Sequence, residues 1–216
     1  EGTDVMSTKD ALIALGVKIS RDNDGLWHIV GVGLNGMISP AAPLDLGNSG
    51  TGARLLMGVV AGQKITATFC GDASLSARPM ARVTNPLAKM GAKITSREGG
   101  LLPVTIQGTR DLMAANHCIK IASAQIKSAI LLAGLNARGT TIVSEPSASR
   151  DHSESMLRHF GASVSQELAE DKSHRVKLAD GASLRAKDVI VPSDPSSAAF
   201  AIVAALITPG SDISLC

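Results

Sequence analysis

Asn48-Ser49-Gly50-Thr51-Gly52-Ala53-Arg54 combines three small hydroxyl or amide side chains, two glycines and a guanidinium directly before an apolar run of helical length, Leu55 to Val60. A small-residue loop entering a helix exposes backbone N–H groups at the positive end of the helix dipole, which suits an anion. The same features also describe an ordinary helix start. The stretch is no P-loop, because no Gly-Lys-Ser/Thr follows four variable residues, and it lacks the spacing of the dinucleotide fingerprint. Arg78, before Pro79 in Gly71–Pro79, is a second cation, readable also as a plain surface arginine. Ser123-Ala124-Gln125 opens another helix with hydroxyl, amide and backbone donors and with Lys127 close by. Capping accounts for Ser123 and leaves Gln125 unexplained. Arg150 lies in the polar loop Ser147–His152, where Asp151 reads best as the N-cap of the helix that follows and less well as an acid–base partner of His152. Ser193-Asp194-Pro195-Ser196-Ser197 reads as one more helix start. The sum is a site for a ligand bearing phosphate or carboxylate groups.

The elements that must position these loops follow a repeat. Helices are expected over Ser7–Leu15, the run after Arg54, Val83–Met90, Ser123–Leu135, Ser153–Phe160 and Ala198–Ile207. Strands are expected over Val17–Ser20, Leu26–Val30, Lys64–Cys70, Lys93–Ser96 and Val104–Gln107, then Cys118–Ala122, Thr140–Ser144, Ser163–Gln166, Arg175–Leu178 and Asp188–Val191. Residues 34–46, with Pro40 and Pro43, read as loop. Three helix ends share one pattern: Leu15-Gly16-Val17-Lys18-Ile19, Met90-Gly91-Ala92-Lys93-Ile94 and Phe160-Gly161-Ala162-Ser163-Val164. A glycine there closes the helix in the left-handed conformation before an immediate return strand. Together these landmarks give a βαβαββ unit recurring at intervals of about 70 residues. The expected fold class is α/β (α+β), with units at about 1–33, 34–112 and 113–186 and an opening βα over 187–216. The pattern begins inside one unit and stops inside another, so the chain is expected to be a piece of a longer protein.

Composition narrows the function classes. A net charge of +2 and 2% aromatic residues leave no basic, stacking surface, so nucleic acid is not an expected partner. No apolar run reaches the length of a membrane span, so no membrane partner is expected either. Cys70, Cys118 and Cys216 have no paired metal spacing and read as reduced, buried cytosolic thiols. His28, His117, His159 and His174 are isolated, no metal constellation is visible, and no Gly-x-Ser-x-Gly elbow points to a serine hydrolase.

Four ordered stretches carry a resemblance. Leu44-Asp45-Leu46-Gly47-Asn48-Ser49-Gly50-Thr51-Gly52-Ala53-Arg54, Gly71-Asp72-Ala73-Ser74-Leu75-Ser76-Ala77-Arg78-Pro79-Met80, Ala122-Ser123-Ala124-Gln125-Ile126-Lys127-Ser128 and Ser149-Arg150-Asp151-His152 resemble the 5-enolpyruvylshikimate-3-phosphate synthases, in the form of the bacterial class II branch. The resemblance spans nearly the whole chain. It implies an inside-out barrel lobe of βαβαββ units, of which 1–186 would be most of the first lobe and 187–216 the start of the second. It implies transfer of the enolpyruvyl group of phosphoenolpyruvate to the 5-hydroxyl of shikimate 3-phosphate, in the shikimate pathway to aromatic amino acids. The route is addition through a tetrahedral intermediate and then elimination of phosphate, with no metal or organic cofactor. Carried over by motif, Ser123, the Ala124 backbone, Gln125 and Arg150 hold shikimate 3-phosphate, while Asn48, Gly50 and Arg78 contact phosphoenolpyruvate with help from Gln125. Arg54 and Thr51 support the loop, and Asp194 is structural. The family's Lys-Ser substrate loop and its second-lobe acid–base residues are not in this sequence. No catalytic residue is therefore assigned, and the chain alone is expected to be inactive. Glyphosate is the implied inhibitor, and a cytoplasmic monomer the implied full-length form. The alternatives are the sister enzyme acting on UDP-N-acetylglucosamine, whose usual loop cysteine has no counterpart here, and a non-catalytic module that binds a phosphate ligand.

Overall fold

The structure, a computed structural model, describes residues 2–192 and 194–215. It divides into two compact units, Glu1–Arg185 and Ala186–Cys216.

The first unit opens with helix α1 (Thr3–Ala14) and the antiparallel hairpin β1 (Lys18–Arg21) and β2 (Trp27–Val30). Two four-stranded sheets follow, each accompanied by helices. The earlier one uses β3 (Leu44–Asp45), α2 (Gly50–Ala61), β4 (Thr66–Cys70), the short helix α3 (Ala73–Ser76), α4 (Ala81–Met90), β5 (Lys93–Arg97) and β6 (Leu101–Gln107). The later one uses β7 (Asn116–Cys118), α5 (Ala124–Gly134), β8 (Thr141–Glu145), α6 (His152–His159), β9 (Val164–Leu168) and β10 (His174–Leu178). Strand orders are β3-β4-β6-β5 and β7-β8-β10-β9. In both sheets the first pair is parallel and the other two are antiparallel. The βαβαββ repeat is thus realised twice with one topology, in open sheets with no closed barrel among the described residues.

Gly16, Gly91 and Gly161 have φ of +100°, +119° and +101°, so the three glycines of the repeated pattern do adopt the left-handed conformation expected of them. Each turns the chain directly from a helix into a strand. The core is one apolar cluster in which Leu46, Met57, Phe69, Leu87, Ile106, Ile130, Leu131 and Val143 are fully buried.

Helices α2 and α5, the first helix of each repeat, pack on each other, and the contact is closest at Gly58. A Cβ added there would collide with the Ala129 carbonyl oxygen, a backbone atom that cannot rotate aside. Gly58→Ala should therefore lower stability by about 2 kcal/mol, an overpacking cost of about 3 kcal/mol less the roughly 1 kcal/mol of better helix propensity. Urea denaturation reads this directly, and an unchanged midpoint would show that the two helices can part freely.

Several expectations need correction. The segment read as loop contains the two-residue strand β3, whose parallel pairing with β4 is a tertiary contact. The strand expected over Cys118–Ala122 lies earlier, at Asn116–Cys118, because pairing to β8 ends at Ser144 and the chain then leaves the sheet to reach α5. Asp188–Val191 is not a strand, since no described strand pairs with it. Cys70 is only partly buried and Cys118 is exposed; Cys216 lies outside the described residues. In the second unit, α7 (Pro195–Ile207) begins near the expected helix start, of which Ser193 is outside the described residues.

Candidate anion site at the helix starts

Ser49 caps α2 by accepting the Gly52 N–H at 3.2 Å, which fixes the small-residue loop against the helix end. Arg54, one turn into α2, folds back over that loop. Its Nη1 donates to the Gly50 carbonyl at 3.1 Å and to Gln125 Oε1 at 2.9 Å. Gln125 Nε2 in turn donates to Thr51 Oγ1 at 2.7 Å. The amide of Gln125 therefore ties the start of α5 to the start of α2, and Arg54 and Thr51 are supports of the loop, as expected.

Arg78 reaches the same loop from the other side. Its Nη2 donates to Asn48 Oδ1 at 2.7 Å and to Ser74 Oγ at 3.1 Å. Asn48 Nδ2 donates to Asp72 Oδ2 at 2.7 Å. Asp72 caps α3, where its Oδ1 accepts the Leu75 N–H at 2.7 Å. That backbone hydrogen bond, followed by the one from Asn48, holds the Asp72 carboxyl below its ordinary range. Asn48 is thus an oriented hinge, with its amide nitrogen on a carboxylate and its oxygen on a guanidinium.

Cations outnumber anions here, where Asp72 is the carboxylate that feels the charge of Arg78. Burial, then the charges of Arg78 and Arg82, lower the pKa of Arg54. None of Arg54, Arg78 and Arg82 forms an ion pair among the described residues. Arg82 was not singled out in the sequence; its Nη2 donates to the Ile121 carbonyl at 3.1 Å and so braces the turn before Ser123. Clustered guanidinium groups beside a helix N-terminus favour a phosphate or carboxylate ligand.

Gly50 sits between two of these cations. A Cβ added to it would lie 2.8 Å from Arg54 Nη1, 3.2 Å from Arg78 Nη1 and 3.6 Å from Leu75 Cδ1. A methyl group at this position requires the Arg54 guanidinium to shift and presses on that of Arg78.

At the start of α5, Ser123 is the N-cap residue in extended conformation (φ −156°, ψ 109°), yet its hydroxyl makes no capping hydrogen bond. The capping account of Ser123 is therefore corrected: its hydroxyl makes no hydrogen bond among the described residues. Asp151, expected to cap α6, also makes no side-chain cap bond; its φ of −107° and ψ of 22° put it outside the usual cap conformation. Arg150 is exposed and makes no hydrogen bond or ion pair among the described residues.

Lys127 departs furthest from expectation. It is 2% exposed and turned away from the anion site, with its Nζ 2.9 Å from Glu145 Oε1 and 2.7 Å from Glu154 Oε1. Glu145 and Glu154 are 1% and 0% exposed, and neither was singled out in the sequence. Among the expected residues, Asn48, Gly50, Arg78 and Gln125 are joined in one network. Ser123 and Ala124 lie next to it on α5, and Arg150 is on a separate loop.

The chain is similar to known proteins over nearly its whole length. The family profile described as EPSP synthase (3-phosphoshikimate 1-carboxyvinyltransferase) matches residues 1–215. A protein of Methylorubrum populi named 3-phosphoshikimate 1-carboxyvinyltransferase is 56% identical over all of this chain and 48% of its own length. One of the same name from Granulibacter bethesdensis is 55% identical over the same shares. The solved EPSP synthase of Acinetobacter baumannii superposes with a TM-score of 0.85 at 46% identity, covering 96% of this chain and 46% of that one. The chain spans about half the length of the curated relatives it matches.

Proposed function

Because this chain belongs to the EPSP synthase (3-phosphoshikimate 1-carboxyvinyltransferase) family, we propose that it forms the substrate-holding half of an enzyme that transfers the enolpyruvyl group of phosphoenolpyruvate to the 5-hydroxyl of shikimate 3-phosphate. The observation that carries the reading is the convergence of Arg54, Arg78 and Gln125 on the α2 loop without an ion-paired carboxylate. Phosphoenolpyruvate bears both a phosphate and a carboxylate, and this array supplies charge and planar donors for such groups. Asn48, Gly50 and Arg78 take phosphoenolpyruvate; Ser123, Ala124, Gln125 and Arg150 take shikimate 3-phosphate.

In the reaction the 5-hydroxyl gives up its proton as its oxygen bonds to C2 of phosphoenolpyruvate and C3 gains a proton, giving a tetrahedral intermediate. The C2–phosphate oxygen bond then breaks, C3 returns a proton, and phosphate leaves. The residues of this chain hold and orient the two anions and offset their mutual repulsion. Proton transfer falls to residues outside this chain, so the 216 residues alone are expected to show no turnover. The full-length enzyme is read as a cytoplasmic monomer that needs no cofactor. No helix among the described residues is long and apolar enough to cross a membrane.

Calorimetric titration of the purified chain with shikimate 3-phosphate, and separately with UDP-N-acetylglucosamine, tests the assignment. Heat with the first and none with the second is expected. The reverse result would transfer the chain to the sister chemistry.

Glyphosate, an anion competing for the phosphoenolpyruvate position, brings out the role of Gly50. In the full-length enzyme Gly50→Ala should raise the glyphosate inhibition constant by about tenfold, the cost of pushing Arg54 and Arg78 from their places. Equal inhibition constants for glycine and alanine would sink the steric reading.

A further inference from the structure

We propose that Glu145 is a positioning residue that locks the loop bearing Arg150 to helix α5, so that Arg150 and Ser123 can hold one phosphate group together. This rests on the substrate reading above and adds to it a part of the molecule that touches no substrate. Glu145 ends β8 and accepts from three donor groups. Its Oε1 accepts the Ser149 N–H at 3.0 Å, the Ser149 hydroxyl at 2.9 Å and the Lys127 ammonium at 2.9 Å, and its Oε2 lies 2.8 Å from the same hydroxyl. Lys127 Nζ also lies 3.5 Å from the Ser149 carbonyl oxygen. The residue beside Arg150 is therefore gripped at its N–H, its hydroxyl and its carbonyl.

The other end of the clamp is the first turn of α5. The Lys127 N–H donates to the Ser123 carbonyl at 3.1 Å, so the ammonium and the candidate substrate hydroxyl belong to one helical turn. Just beyond the loop the Ser153 hydroxyl donates to the Ser128 hydroxyl at 2.6 Å, but residues 146–148 and 150 make no hydrogen bond among the described residues. Pro146, Ser147, Ala148 and Arg150 are exposed, and the space behind is a cavity of about 340 Å³ lined by Lys127, Glu145, Ser149, Gln166 and Arg175 among others. A loop that backs onto open space has no packed apolar contacts to fix it, so its polar bonds decide where Arg150 stands.

Glu154 supplies the internal comparison. It shares the Lys127 ammonium and is equally buried, but its other hydrogen bond among the described residues is from Gln166 Nε2 at 3.5 Å, and it grips nothing in the loop. Glu145→Leu and Glu154→Leu each leave Lys127 with one carboxylate, so they match in charge and differ in the clamp.

The test is titration of the chain and its variants with shikimate 3-phosphate, alongside amide hydrogen exchange over residues 147–150. Glu145→Leu should weaken binding by about tenfold and speed exchange at the Ser149 amide, whereas Glu154→Leu should stay within about twofold on both. Ser149→Ala, which keeps the ion pairs and removes only the hydroxyl, should fall between them, and it stands in if Glu145→Leu does not fold. Equal effects of the two leucine variants on binding and exchange would overturn the proposal. If the wild-type chain takes up no shikimate 3-phosphate, the substrate reading fails. The exchange contrast would then still decide whether Glu145 places the loop.

Discussion

Replacing Lys127 by methionine should cost the protein about 3–5 kcal/mol at neutral pH, because the change strands two buried carboxylates without their counter-charge. The wild-type cluster holds one ammonium against two carboxylates, and Glu154 Oε2 has no hydrogen-bond partner. Burial alone would lower the Lys127 pKa, but the bonds to Glu154 and Glu145 outweigh it and the net direction is up from 10.5. Burial likewise works to raise Glu145, yet the Lys127 bond and then the Ser149 donors hold it below 4.5. The signs define a plateau. A carboxylate with a depressed pKa stabilises above its unfolded value and loses that contribution as pH falls through the folded one. An ammonium with a raised pKa stabilises below its unfolded value and loses that contribution as pH rises through the folded one. Between 4.5 and 10.5 both contributions are whole. The gap between wild type and Lys127→Met should be widest there and should narrow in acid, where Glu145 of the variant takes up a proton. Lys127→Met with Glu154→Leu should regain part of the loss, since one unpaired carboxylate goes with the ammonium. Urea midpoints from pH 4 to 9 measure this, and a gap that widens in acid would mean the cluster is not the source.

The same cluster shows where sequence reading stops. Lys127 stands in a Ser-Ala-Gln-Ile-Lys-Ser run at a helix start, where its charge looked like part of the anion site. Its partners are separated from it by a strand and a loop, and no periodicity announces them. Asp151 with Glu154 three residues on has the form of a capping box, which favours a cap. Glu154 is drawn to Lys127, and Asp151 is left without a cap bond. By contrast, the glycine caps at Gly16, Gly91 and Gly161 were legible because a left-handed φ before a return strand is a local demand that one residue type meets best. The repeat and the loops at the helix starts followed from such local chemistry, whereas the Arg54–Thr51 support was implied only by the family resemblance. Elements defined by pairing alone did not: β3 is two residues long, and the β-branched run Val189-Ile190-Val191 pairs with no described strand. Helix α3 was locally signalled by Asp72, whose side chain caps it, but four residues are too few for periodicity to show.

Arg78→Leu should raise the dissociation constant for phosphoenolpyruvate by about a hundredfold in the full-length enzyme while leaving folding stability within roughly 0.5 kcal/mol. The two halves of that expectation have separate causes. Arg78 is anchored through exposed groups, Asn48 Oδ1 and Ser74 Oγ, and neither bond supports the core. Its charge has no ion-paired carboxylate to answer it, so a bound anion supplies the partner it lacks and loses most when it goes. Arg78→Lys should not restore binding, because a lysine ammonium cannot keep the bond to Asn48 and still present a planar pair of donors. Asn48→Ala should fall between wild type and Arg78→Leu, since it leaves the guanidinium in place and removes the group that aims it. Shikimate 3-phosphate affinity supplies the control. It depends on Ser123, Ala124, Gln125 and Arg150, none of which bonds directly to Arg78, and should change by less than about threefold. Loss of both substrates together in Arg78→Leu would mean that the α2 loop and the α5 start form one indivisible site, linked through Arg54 and Gln125, with no separate pocket for phosphoenolpyruvate.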